Sequence, residues 1–179
     1  MGVNTLTSNT EGDNNTAVGR DALQNNTTAD NNVAVGRSAL SSNTTATGNV
    51  AIGTYAGDAI TTSPSNTIVG HNAGSAISTG NGENVCIGNN AAALMTTAQQ
   101  NIIIGDNAAA GAAVTGNINI IIGDNAGYAL TSGANNVAVG GSALTANTTA
   151  GSSVAIGHSA GYSQTTNGQN VFVGTSAGY

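Results

Sequence analysis

The sequence predicts an all-β chain wound as a parallel β-solenoid, a β-roll or β-helix of about ten coils of 17–18 residues. Three observations carry that expectation. A motif of the form Asn-x-x-(Val/Ile)-Gly-x-x-Ala recurs ten times without interruption, once with Ser in place of Asn, its glycines 17 or 18 residues apart. The residues leading into each glycine, such as Val33-Ala34-Val35 before Gly36, are short runs of β-branched strand formers, and glycine accepts the positive φ that turns the chain sharply after them. Leu, Ile, Val and Phe supply only 33 of 179 residues, and charged residues only 6% against about 25% in ordinary domains, so the core is thin and repetitive. A period of 17 is too short for a helix pair.

The glycine column (Gly19, Gly36, Gly53, Gly70, Gly88, Gly105, Gly123, Gly140, Gly157 and Gly174) sets the register. Gly2 opens a partial copy, with Leu6 where Leu23 and Leu40 fall. The chain thus begins and ends in mid-repeat, as expected of a fragment or a processed product. Residues 1–179 read as one solenoid domain with a partial coil at each end and no linker.

Stacking sets each column on itself about 4.8 Å further along the axis, so ten coils make a rod on the order of 48 Å long. Four residues before the glycine stand Asn15, Asn32, Asn49, Asn66, Asn84, Asn101, Asn119, Asn136, Ser153 and Asn170. Stacked Asn side chains form amide ladders, the alternative being turn chemistry alone. Three residues after the glycine there is always Ala, a size that suits close approach of two layers. Thr pairs such as Thr27-Thr28, Thr44-Thr45, Thr61-Thr62 and Thr148-Thr149 follow eight and nine residues after it. Bulk is compensated within coils. Where the fourth residue after the glycine is Leu (Leu23, Leu40, Leu144), the seventh is small or polar; where it is Gly (Gly57, Gly74, Gly127), the seventh is Ile60, Ile77 or Leu130. Close packing demands this of a shared interior. Gly161 with Gln164 and Ala109 with Ala112 break the rule.

Within each strand the first and third residues point to one face and the middle one to the other. The middle column reads Ala17, Ala34, Ala51, Ile68, Cys86, Ile103, Ile121, Ala138, Ala155 and Phe172, all apolar. Strands apolar on both faces are buried on both faces. If the flanking residues line the coil, this column is an outward stripe and a self-association surface, the expected oligomer interface. The other reading is that a second segment of the same coil covers it.

Composition excludes several roles. Net charge is −6 with two basic residues, which leaves no electrostatic footprint for nucleic acid or an anionic membrane. No apolar run approaches the roughly 20 residues of a membrane span, and Met1-Gly2-Val3-Asn4 lacks the basic start and apolar stretch of a signal peptide. Cys86 has no second cysteine to pair with in the chain.

The string Asn15-Thr16-Ala17-Val18-Gly19-Arg20-Asp21-Ala22-Leu23, with Asn26-Thr27-Thr28 after it, resembles repeats of phage tail-fibre proteins, which often stand upstream of a self-cleaving chaperone domain. The strand core Asn49-Val50-Ala51-Ile52-Gly53 is similar to the head repeat of trimeric autotransporter adhesins, which fold as left-handed parallel β-rolls. The resemblance covers nearly the whole chain. It implies a left-handed coil, a homotrimer and an extracellular or virion-tail location. The adhesin repeat is shorter than 17 residues, and no membrane anchor or coiled-coil stalk is visible, so the phage-fibre resemblance is the nearer one.

No catalytic constellation is visible, and no enzyme activity is expected. His71 and His158 each follow a column glycine but lie five coils apart, about 24 Å. Asp106 and Asp124 share one column in adjacent coils, about 5 Å apart, and are either solvated turn residues or ligands of a hard cation such as Ca²⁺. Arg20 and Arg37 stack in that same column. Tyr128, Tyr162 and Tyr179 share the column five after the glycine, with Tyr55 nearby in its own coil. They are candidate receptor contacts that stack on sugar rings of a host surface glycan, or they pack at the chain interface. The Thr columns raise the reading of an ice-binding face, although adjacent Thr residues in a strand point to opposite faces. The expected function is a structural fibre or adhesin segment: a phage tail-fibre shaft or receptor-binding region mediating host attachment. A bacterial trimeric adhesin head, a self-assembling extracellular filament and an ice-binding solenoid are the alternatives. Expected partners are further copies of the chain and a host cell-surface glycan or protein.

Overall fold

A computed structural model describes residues 2–179, and no helix occurs among them. Ten three-residue strands follow one another: β1 (Thr16–Val18), β2 (Val33–Val35), β3 (Val50–Ile52), β4 (Thr67–Val69), β5 (Val85–Ile87), β6 (Ile102–Ile104), β7 (Ile120–Ile122), β8 (Val137–Val139), β9 (Val154–Ile156) and β10 (Val171–Val173). They form a single parallel sheet in chain order. Equivalent positions pair throughout, Ala34 opposite Ala51 and Val35 opposite Ile52, for example. The chain is therefore a parallel β-solenoid with one strand per coil; turns and bends complete each coil.

Sequence explains why each strand stops where it does. The column glycines that have a coil after them hold φ between 133° and 142°, a region closed to side chains. A Cβ at Gly70 would land on the carbonyl oxygen of Gly88 in the next coil. Two and four residues further on the backbone is left-handed again, as at Asn72 (φ 56°) and Gly74 (φ 52°). Leu23, Leu40 and Leu144 occupy that second position at φ 49–51°. Left-handed backbone costs such a residue about 1 kcal/mol, and each of these leucines is buried to 1% exposure or less, which offsets it.

The Asn column forms the expected ladder. Asn101 Oδ1 accepts from Asn119 N at 2.9 Å and from Asn119 Nδ2 at 3.1 Å, and the same pair of bonds links Asn119 to Asn136. Asn136 Oδ1 then takes the backbone N–H of Ser153 at 3.0 Å. The left-handed residue before each Asn (Asn31, Ser65, Asn135) turns the main chain, and the side-chain oxygen of the coil before supplies the acceptor the Asn N–H needs.

The interior corrects one expectation. Ala34, Ala51, Ile68, Cys86, Ile103, Ala138 and Ala155 are fully buried within the single chain, Ile121 is 1% exposed, and Ala17 and Phe172 at the two ends pack against the same core. The middle column thus lines the coil and is no oligomer interface: the turn segments of the same coil cover it. Bulk makes this arrangement necessary. Ala stands in the middle of the strand where Leu23, Leu40 and Leu144 fill the coil from the other side, whereas Ile68 and Ile121 face Gly74 and Gly127. A Cβ on Gly74 would come 3.2 Å from Ile68 Cδ1. Both exceptions to the compensation rule resolve here. Ala109 lies in an 18-residue coil whose bulky group is Val114, fully buried two positions later. Gln164 is a buried polar filler whose Nε2 donates to Ser153 Oγ at 2.9 Å. It supplies an amide in the coil whose ladder position holds Ser instead of Asn.

Candidate interaction surface

With the middle residues inside, the first and third residues of every strand point outward. They form two parallel ranks, Val or Ile at 18 of 20 places, with Thr16 and Thr67 the others. Val18 is 48% exposed, Ile52 41%, Ile102 38% and Ile156 43%. The result is a flat apolar band two side chains wide and about 43 Å long. Periodicity alone could not separate the outward positions from the inward one, because all three are apolar. The distinguishing signal was the inverse relation in size between the middle residue and the one four after the glycine.

Polar residues rim this band on both sides. Along its downstream edge runs the rank that follows each glycine, in which Arg20, Arg37, His71, Asn89, Asp106, Asp124 and His158 are exposed. Arg20 Nε donates to Asp21 Oδ2 at 2.8 Å, which with Asn4 holds the Asp21 carboxyl below the usual range. The Arg37 guanidinium lies 5.2 Å from the Tyr55 ring centroid. Asp106 accepts from Asn89 Nδ2 at 2.9 Å and Asn107 Nδ2 at 3.0 Å. Asp106 and Asp124 are adjacent as expected, but no third His, Cys, Asp or Glu joins them in a metal-sized group among the described residues. His71 and His158 are both exposed, and their Nδ1 atoms meet Asn89 Oδ1 and Ser159 Oγ respectively.

The tyrosines do not converge. Tyr162 and Tyr179 stack on each other, centroids 5.2 Å apart and 18° between planes, and Tyr128 lies two coils away with its ring over Gly111. Tyr55 sits apart between Arg37 and His71. The Thr pairs fall in bends, not strands. In each pair the first hydroxyl is spent on the neighbouring backbone, as when Thr27 Oγ1 donates to Thr44 O at 3.1 Å and Thr44 Oγ1 to Thr61 O at 3.2 Å. Only the second of each pair (Thr28, Thr45, Thr62, Thr149) stands exposed.

Two buried groups complete the inventory. Burial pushes the Cys86 thiol up to about 12, so it stays protonated and unreactive at neutral pH. Asp58 is half-buried, its carboxyl raised by loss of solvent, with Oδ1 unpartnered. No cavity opens among the described residues.

No protein-family model matches this sequence, and no curated protein or solved structure matches it either.

Proposed function

We propose that the chain is a structural rod in a phage tail fibre or related adhesin, where it holds a receptor-binding region away from the particle. In this reading three copies pack side by side through their Val/Ile bands. The single observation that carries it is the unbroken double rank of outward β-branched side chains, from Val18 to Val173. Scattered surface apolar residues need no explanation, but a contiguous band of this length is an association surface. Resemblance to the fibre and adhesin repeats favours a trimer, and the lack of any cavity or clustered titratable groups among the described residues supports a mechanical role.

Sedimentation equilibrium tests the packing. The expected mass is three times the 17.2 kDa of one chain, and replacing Ile52 and Ile104 by Lys should reduce it to one. A wild-type chain that stays monomeric at tens of micromolar overturns the reading. Antibodies raised against the purified rod test the setting: they should label thin fibres on virions or cell surfaces, and labelling confined to a soluble cell fraction would refute it.

A further inference from the structure

The charges along the two rims of the band bear on how copies are oriented. All the basic side chains of this protein, Arg20 and Arg37, stand on the downstream edge of its first two coils, exposed. Arg20 gives only Nε to Asp21, and stacking on Tyr55 uses the face of the Arg37 guanidinium and leaves its N–H donors free at the perimeter. On the upstream edge of the same two coils, six residues before each glycine, stand Asp13 and Asp30. Asp30 Oδ1 accepts the backbone N–H of Asp13 at 2.6 Å, so the two carboxylates line up along the rod.

Symmetry decides what these edges meet. Copies arranged around an axis parallel to the rod bring the downstream edge of one against the upstream edge of the next at the same height. Arg20 then faces the next copy's equivalent of Asp13, and Arg37 faces its equivalent of Asp30. The remaining acids fit the same alignment. Glu83 upstream stands level with Asn89 downstream, while Asp106 and Asp124 downstream stand level with Gln100 and Asn117, so no acid meets an acid. Antiparallel copies would instead set downstream edge against downstream edge. Pairing Arg20 with Asp124 and Arg37 with Asp106 then aligns coils one to seven only, and the Val/Ile pairs of β8, β9 and β10 overhang uncovered.

We propose that the chain self-associates in parallel, head to tail around a common axis, with Arg20 and Arg37 of each copy docked on Asp13 and Asp30 of the next. This rests on the side-by-side packing proposed above and adds its direction and register. The charged pairs sit at one end, so they set which end aligns with which, while the uniform apolar band would tolerate slippage by a coil.

Charge reversal tests it by sedimentation equilibrium at low salt. R20D/R37D alone should weaken association at least tenfold, because four acids then share each contact. The fourfold swap R20D/R37D/D13R/D30R should restore it to within about threefold, and the swapped chain should not co-assemble with the wild type. Restoration also shows that the variant folds. Recovery by D106R/D124R in the R20D/R37D background, without recovery by D13R/D30R, would establish antiparallel packing and overturn the proposal. Association indifferent to R20D/R37D would overturn it too, while a monomeric wild type would instead strike the packing itself.

Discussion

Ile102, Ile103 and Ile104 set the same side chain at three successive positions of β6, so truncating them singly isolates the effect of facing. Ile103 is fully buried between Cys86 and Ile121 of the flanking strands, whereas Ile102 is 38% exposed. Ile103→Ala removes three carbons from a closed interior. At about 0.8 kcal/mol per buried methylene, transfer alone costs about 2.4 kcal/mol. The cavity adds to this, because the neighbouring Ala109 and Ala126 are too small to fill it, bringing the total to about 3–4 kcal/mol. Ile102→Ala gives up a partly wet side chain and some strand preference, under about 1 kcal/mol in the free chain. Urea unfolding followed by far-ultraviolet circular dichroism, at two protein concentrations a hundredfold apart, separates them. The Ile103→Ala penalty should be the same at both concentrations, and the Ile102→Ala penalty should grow with concentration as association comes into play. Equal losses at high dilution, or a larger one for Ile102, would refute the assignment of inner and outer faces.

Three further outcomes are expected. Asn101→Ala should cost about 2–4 kcal/mol in urea unfolding, because it orphans the buried Asn119 N–H and Nδ2 that Asn101 Oδ1 now accepts; a loss below about 0.5 kcal/mol would mean the ladder is ornamental. Ser153 and Gln164 should couple, so that S153A and Q164A lose about 1 kcal/mol less together than the sum of each alone in a double-mutant cycle. The Cys86 thiol, at about 12 in the folded chain against an ordinary 9.0, contributes stability that is fully present below pH 9 and is lost as pH rises from 9 to 12, since the unfolded chain gives up its proton first. The melting-temperature difference between wild type and Cys86→Ala should therefore shrink over that interval, and a constant difference would count against the burial.

Why the solenoid was legible and the interface was not follows from the kind of information each needs. In-register stacking sets every residue on its own equivalent, so Asn15 to Asn136 must satisfy one environment repeated along the axis, and identity at a fixed interval reports it directly. The facing of a three-residue strand is a different matter. Alternation is read from polarity, and Val-Ala-Val or Ile-Ile-Ile has none to read. The answer lay in covariation between positions within a coil. Ala34 accompanies Leu40 and Ile121 accompanies Gly127, while Phe172 at the end is flanked by Gly161 and Gly178, where a Cβ would strike the ring. Only residues sharing one interior trade volume in this way. The tyrosine column misled because a shared position does not require a shared ring direction: Tyr162 and Tyr179 stack on each other while Tyr128 lies over Gly111.

The distribution of apolar carbon gives the last prediction. In an ordinary domain the largest apolar groups are inside. Here the coil interior is largely Ala and Asn, with about one bulky residue per coil, and 18 Val or Ile side chains stand on the outer ranks. A single chain therefore buries little of its hydrophobic surface, and its stability leans on ladders whose net value per hydrogen bond is only about 1 kcal/mol. Covering the outer band would add burial at about 25 cal/mol for each Å² removed from water. Folding and association are then linked by mass action, so the thermal midpoint should rise with protein concentration, and should lose that dependence when Ile52 and Ile104 are replaced by Lys. A wild-type midpoint that stays constant over a hundredfold range of concentration would show that the small-residue interior suffices by itself, and would remove the energetic reason for the Val/Ile band to be covered.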